Sequence, residues 1–72
     1  MADPVSWKVV ERGWKVVDEN GDDFGHIDEV TGDAEADIFD GIEVSHGLLG
    51  GTEYVPSERV VDIREGTVVI RR

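Results

Sequence analysis

Gly13-Trp14-Lys15-Val16-Val17-Asp18-Glu19-Asn20-Gly21-Asp22-Asp23-Phe24-Gly25-His26-Ile27-Asp28-Glu29-Val30 is the stretch that decides the fold. It reads as two strands around a polar turn. Lys15 to Asp18 forms the first strand, because its valines are β-branched and Gly13 opposes a helix running into it. Glu19-Asn20-Gly21-Asp22 forms the turn, since Asn and Gly both tolerate positive φ. Phe24 to Thr31 forms the second strand. Its apolar residues Phe24, Ile27 and Val30 are three apart instead of two. A helix has that spacing, but so does a strand with a β-bulge near Gly25 that shifts the register once. The turn before it and Gly32 after it favour the bulged strand. A bulge also bends a strand, which a small barrel requires.

Upstream, Trp7-Lys8-Val9-Val10 recurs as Trp14-Lys15-Val16-Val17. Two copies fall short of a repeat architecture. The first copy is either a short strand turning back at Glu11-Arg12-Gly13 or a single helical turn plugging one end of the domain. Residues 1–6, with Pro4, are a lead-in. Downstream, Gly32 to Asp37 is an acidic loop. Ile38-Phe39-Asp40-Gly41 leads into a third strand, Ile42 to Ser45, with Ile42 and Val44 on one face and His46 continuing the inner side. Gly47 to Gly51 is a turn with Leu48 and Leu49 at its tip. Thr52 to Val55 is a short strand stopped by Pro56, and Ser57 is placed to cap one helical turn with Glu58 and Arg59. Val60 to Arg64 and Thr67 to Arg71 form a final hairpin around Glu65-Gly66. In it, Val61 and Ile63 share one face, as do Val68 and Ile70.

This pattern predicts an all-β fold, a small antiparallel β-barrel of five to six short strands with at most one short helical turn. Residues 1–12 are assigned to the lead-in segment and 13–72 to the barrel domain. Of the aromatics, Trp14, Phe24, Phe39 and Tyr54 are expected mainly in the core, and Trp7 outside it.

A 72-residue chain makes one domain with a thin core, burying only about 60% of the surface its unfolded form exposes. There is no cysteine, so neither a disulfide nor a thiolate zinc site is available. The N-terminus does not read as a signal peptide, and no apolar run approaches the ~20 residues of a membrane-spanning helix. The expected location is cytoplasmic. The formal net charge of −10 argues against nucleic acid and anionic membranes as partners. Between Lys15 and Arg59 there is no Lys or Arg, while 13 of the 17 acids lie there. That acidic middle is either a well-solvated surface or a face for a basic partner or divalent cations.

Three blocks together resemble the PRC-barrel superfamily. The first is Gly13-Trp14-Lys15-Val16-Val17-Asp18, then Gly21, then Phe24-Gly25-His26-Ile27. The second is Asp37-Ile38-Phe39-Asp40-Gly41-Ile42. The third is Tyr54-Val55-Pro56-Ser57-Glu58-Arg59-Val60, followed by Ile63 and Gly66-Thr67-Val68. The resemblance spans roughly residues 13–71. It implies a barrel used as a docking module for protein partners, and stand-alone copies that often self-associate. It implies no enzyme activity. The family's photosynthetic members carry a transmembrane helix and its ribosome-maturation members a further β-domain; neither feature is read here.

Candidate sites are few. Counting Asp18 as position 1, Asn20, Asp22 and Glu29 fall at positions 3, 5 and 12 of an EF-hand loop. Position 6, however, is Asp23 instead of glycine, and the flanks read as strands. A charged hairpin turn is the preferred reading, and Asp18, Asn20 and Asp22 are kept as a secondary metal set. His26 and His46 lack the spacing and the further ligands of a metal site. Gly47 to Gly51 lacks the Lys and Ser/Thr of a phosphate loop. No Gly-x-Ser-x-Gly motif or other catalytic set is present. The sequence therefore points to a non-catalytic interaction module without a cofactor, docking a protein partner or itself as a homodimer. Leu48, Leu49 and Trp7 are the candidate contacts. The alternative is a small regulator binding a divalent cation or small ligand at the Asp18–Asp23 turn.

Overall fold

A computed structural model describes residues 6–47 and 50–72 of the chain. A first 3-10 helix, Trp7–Val9, precedes six strands: β1 (Lys15–Asp18), β2 (Asp23–Asp33), β3 (Ile38–Ser45), β4 (Thr52–Pro56), β5 (Val60–Arg64) and β6 (Thr67–Ile70). A second 3-10 helix, Ser57–Arg59, joins β4 to β5. The fold is all-β, as the strand pattern predicts, with two helical turns instead of one. The first copy of the Trp-Lys-Val-Val repeat takes the helical-turn option, with the Ser6 hydroxyl accepting from the Lys8 amide. The second turn is not capped by Ser57. Its N-cap is Pro56, which has no side-chain acceptor, and Ser57 is the first residue of the turn itself.

The strands form one sheet in the order β4-β3-β2-β1-β6-β5. Among the described residues the ladder is not closed, and β4 and β5 are its edges. Four of the five pairings are antiparallel, but β1 and β6 run parallel, with Val16 beside Val68 and Asp18 beside Ile70. The expected barrel was wholly antiparallel. The difference arises at the second 3-10 helix. A hairpin would reverse the chain, whereas Ser57–Arg59 carries it from one edge of the sheet to the other. Strand β5 consequently starts in the same direction as β4, and β6 then returns parallel to β1.

The core is aliphatic. Val16, Ile27, Ile42, Val44, Val55, Val68 and Ile70 are buried, and Trp14, Phe24 and Phe39 pack only partly against them. Tyr54 is exposed, its hydroxyl donating to the Asp40 carbonyl at 3.0 Å. The aromatics are thus mostly peripheral, contrary to expectation.

The curl comes from bulges. Val16 pairs with Gly25 and Val17 with Asp23, so Phe24 is an extra residue next to Gly25, where the irregular spacing predicts a bulge. Asp28 and Asp40 are extra residues in the β2–β3 pairing, and Val61 in the β5–β6 pairing. Strand β2 also runs beyond the predicted loop boundary, to Asp33.

Gly25 is required at its position. Its φ is +152°, and a Cβ there would lie 2.7 Å from Val44 Cγ1 and closer still to the Ser45 carbonyl oxygen. Gly66 also has a positive φ, 84°, but nothing lies within 4 Å of its missing Cβ. Gly25→Ala is therefore expected to lower stability by about 3 kcal/mol, combining strain with overpacking. Gly66→Ala should lower it by about 1 kcal/mol, from backbone strain alone. Urea denaturation of the two variants checks this ranking, and equal losses would contradict it.

Candidate partner-binding site

Two surfaces gather the chemically distinctive side chains. The first is the turn after β1. Alternation along β1 turns Val16 and Asp18 inward, so a carboxylate enters the core margin and is only 3% exposed. Its Oδ1 accepts from the amides of Asn20, at 2.9 Å, and Asp22, at 3.0 Å, while Oδ2 accepts from Arg72 Nε at 2.8 Å. The Arg72 guanidinium also lies 5.2 Å from the centroid of the Phe24 ring, and the Arg72 amide donates to Glu19 Oε1 at 3.3 Å. Phe24 in turn meets His46 edge-on, 4.9 Å between ring centroids, and His46 Nε2 lies 3.1 Å from Glu53 Oε1.

Asp18, Asn20 and Asp22 do come together, but through backbone amides that donate to Asp18. Both Asp18 oxygens already have partners. Among the described residues, no group of three or more His, Cys, Asp or Glu side chains is placed to hold a metal ion. His26 is exposed, and its register partner on β3 is Ser45.

The second surface lies beside the edge strand β5. Trp7 stacks on Phe39, with centroids 5.3 Å apart and planes 13° from parallel. Its indole Nε1 donates to Asp37 Oδ1 at 3.1 Å, and Lys8 Nζ lies 3.5 Å from the same oxygen. The stacked rings form one wall of an open groove of about 230 Å³, which Ser57, Val61 and Ile63 help to line. Alternation places Val61 and Ile63 on one face of β5, and both line the groove. Val61 is the bulge residue, and it is 47% exposed.

The family model for the PRC-barrel domain matches residues 12–72. The chain belongs to the PRC-barrel family. No curated protein matches it significantly. The PRC-barrel domain is a general module often involved in protein interactions. Two features of the resemblance now have structural roles in this PRC barrel: Gly25 adjoins the bulge opposite Val16, and Pro56 ends β4.

Of the candidate contacts, Trp7 stands in the groove wall, while Leu48 and Leu49 lie outside the described residues. Phe39, Val61 and Arg72 were not foreseen as surface determinants. The Val60-Val61 doublet was the available signal for Val61, because two adjacent valines cannot both face inward on a regular strand. No local pattern brings Arg72 to Asp18, which is 54 positions earlier.

Within the PRC barrel, Asp18 and Arg72 should differ in their importance to stability. Asp18→Ala leaves two turn amides and a guanidinium without their acceptor, an expected loss of about 3 kcal/mol. The Arg72 side chain is 55% exposed, and solvent screening limits Arg72→Ala to about 1 kcal/mol. Thermal unfolding at matched ionic strength distinguishes the two, and a larger loss for Arg72→Ala would reverse the assignment.

Proposed function

We propose that this PRC barrel is a non-catalytic, cytoplasmic interaction module that docks through the free edge of β5 and the adjoining groove, with a second copy of the chain as occupant. The observation that carries this reading is the exposed Val61 on an edge strand beside the Trp7–Phe39 stack. An exposed edge is a template for another strand.

The two edges are unlike. Strand β4 ends in Pro56, which has no amide to donate, and its Glu53 lies 3.9 Å from Arg59. Strand β5 has no proline and carries apolar side chains beside the groove. Its sequence is also self-complementary. Asp62 and Arg64 already pair within the strand, Arg64 Nε donating to Asp62 Oδ2 at 2.7 Å, and antiparallel pairing of two β5 strands centred on Ile63 sets the two ion pairs opposite each other with charges of unlike sign facing across the seam. Such an interface is isologous and closes at two copies. The cytoplasmic part of the proposal follows from an N-terminus that does not read as a signal peptide, and a chain without cysteine is compatible with a reducing compartment.

Sedimentation equilibrium tests the proposal. The protein is expected to dimerise, and Val61→Asp to weaken the dimer by at least about tenfold, or 1.4 kcal/mol. The substitution places a charge at an already exposed position, so the barrel should stay folded by circular dichroism. A dimer unaffected by Val61→Asp, or a monomer at all concentrations, would overturn the self-association reading. Capture of another protein that Val61→Asp abolishes would keep the surface and replace the occupant.

A further inference from the structure

We infer that Asp18, Glu19 and Phe24 form an arginine-reading site that the chain's own Arg72 occupies, and that an arginine of a basic protein partner takes the site by displacing it. The site is separate from the β5 groove and does not depend on self-association.

Three observations support this. First, the receptor half is held without Arg72. The Asp18 carboxylate is fixed by the amides of Asn20 and Asp22, and the turn is closed by the bonds Asp18 N to Asp22 O and Gly21 N to Asp18 O, each 2.9 Å. Phe24 is held by β2 pairing on both sides of its bulge. Second, the ligand half is held lightly. Strand β6 ends at Ile70, and the Arg71 amide still bonds the Arg59 carbonyl at 2.7 Å. Beyond it, the contacts of Arg72 with Asp18, Glu19 and Phe24 are not ladder bonds, so its guanidinium can exchange without breaking the β6 ladder. Third, the site suits a guanidinium better than an ammonium. It offers a directed carboxylate oxygen and an aromatic face at once, and a planar delocalised cation can use both.

The charge distribution indicates what would compete. The turn lies in the acidic middle of a chain of net charge −10, with Asp22 and Asp23 beside it and no Lys or Arg between Lys15 and Arg59. Long-range attraction therefore favours an arginine-bearing basic segment. While Arg72 is seated, an incoming arginine must compete with it. The apparent affinity is then reduced by the fraction of molecules whose site is already filled.

The test uses the full chain, its Arg72→Ala variant, and two probes, N-acetyl tetra-arginine amide and N-acetyl tetra-lysine amide, with binding followed by NMR. Tetra-arginine should bind Arg72→Ala at least about tenfold more tightly than the unsubstituted chain, shifting the Phe24 ring protons. In the unsubstituted chain it should displace the Arg72 Nε–H resonance. Tetra-lysine should bind both proteins equally and more weakly. Phe24→Leu introduced into Arg72→Ala should abolish the gain. If Arg72→Ala does not fold, Arg72→Lys, which keeps a cation but loses the planar guanidinium, should show an intermediate gain. No gain with the folded variant, an equal gain for tetra-lysine, or an unmoved Phe24 ring would overturn the inference. Repeating the titrations on Val61→Asp separates this result from failure of the β5 interface, because that substitution does not touch the arginine site.

Discussion

The parallel pairing of β1 with β6 holds the sheet together. In the order β4-β3-β2-β1-β6-β5 it is, among the described residues, the one strand pairing that joins the four-stranded meander to the final hairpin. Without it, the hairpin β5–β6 would be a two-stranded ribbon, an element marginal in water on its own. The junction is built from side chains with little rotamer freedom to lose. Val16 sits beside Val68, and both are fully buried. Parallel pairing of strands so distant in sequence requires the connection between them to change edge, which is what Ser57–Arg59 does. Pro56 therefore does more than end β4. It starts the crossing that brings the last hairpin round to β1.

Asp18 makes that junction selective. A one-residue slip of β1 against β6 would turn Asp18 outward and drive Val17 into its place. The carboxylate would then lose its two turn amides and its guanidinium. A buried charge contributes less to net stability than an apolar residue of the same volume would. What it contributes here is a penalty on the wrong register. The same hydrogen bonds shape the turn that leads into β2, so the seam and the first hairpin are set by one side chain. His46 and Glu53 extend the contacts from Phe24 to β4.

Most of the fold could be read from the chain, because its signals are local. Asn20-Gly21 marks the first hairpin, Glu65-Gly66 the last, and the three-residue spacing of Phe24, Ile27 and Val30 marks a bulged strand. The direction of β5 could not be read, because no residue near Val60 states which edge the strand will join. The bulge at Val61 is similarly hidden. It lies in the register of β5 against β6, which is a property of the pair and not of either strand. The candidate surfaces divide along the same line. Trp7 stood out because it precedes the regular pattern. Arg72 did not, because its role depends on a contact spanning nearly the whole chain.

Whether the two surfaces act together depends on the element they share. Ser57 helps to line the groove, and Arg59, two residues on, accepts from the Arg71 amide and donates its Nε to the Arg71 carbonyl at 2.9 Å. Arg71 directly precedes the residue seated against Asp18. A physical path therefore exists, but its strengths are unequal. The Arg59–Arg71 bonds are short and would transmit a shift of the turn. The outer contact of Arg59, to Glu53, is 3.9 Å long and open to solvent, where such pairs contribute less than about 1 kcal/mol. The Arg59–Arg71 pair, moreover, anchors the chain just before Arg72, so the guanidinium can swing away while residue 71 stays fixed. The anchor that would carry a signal is thus the one that isolates Arg72 from the groove. The architecture favours two surfaces engaged independently, with the second 3-10 helix as a fixed post between them.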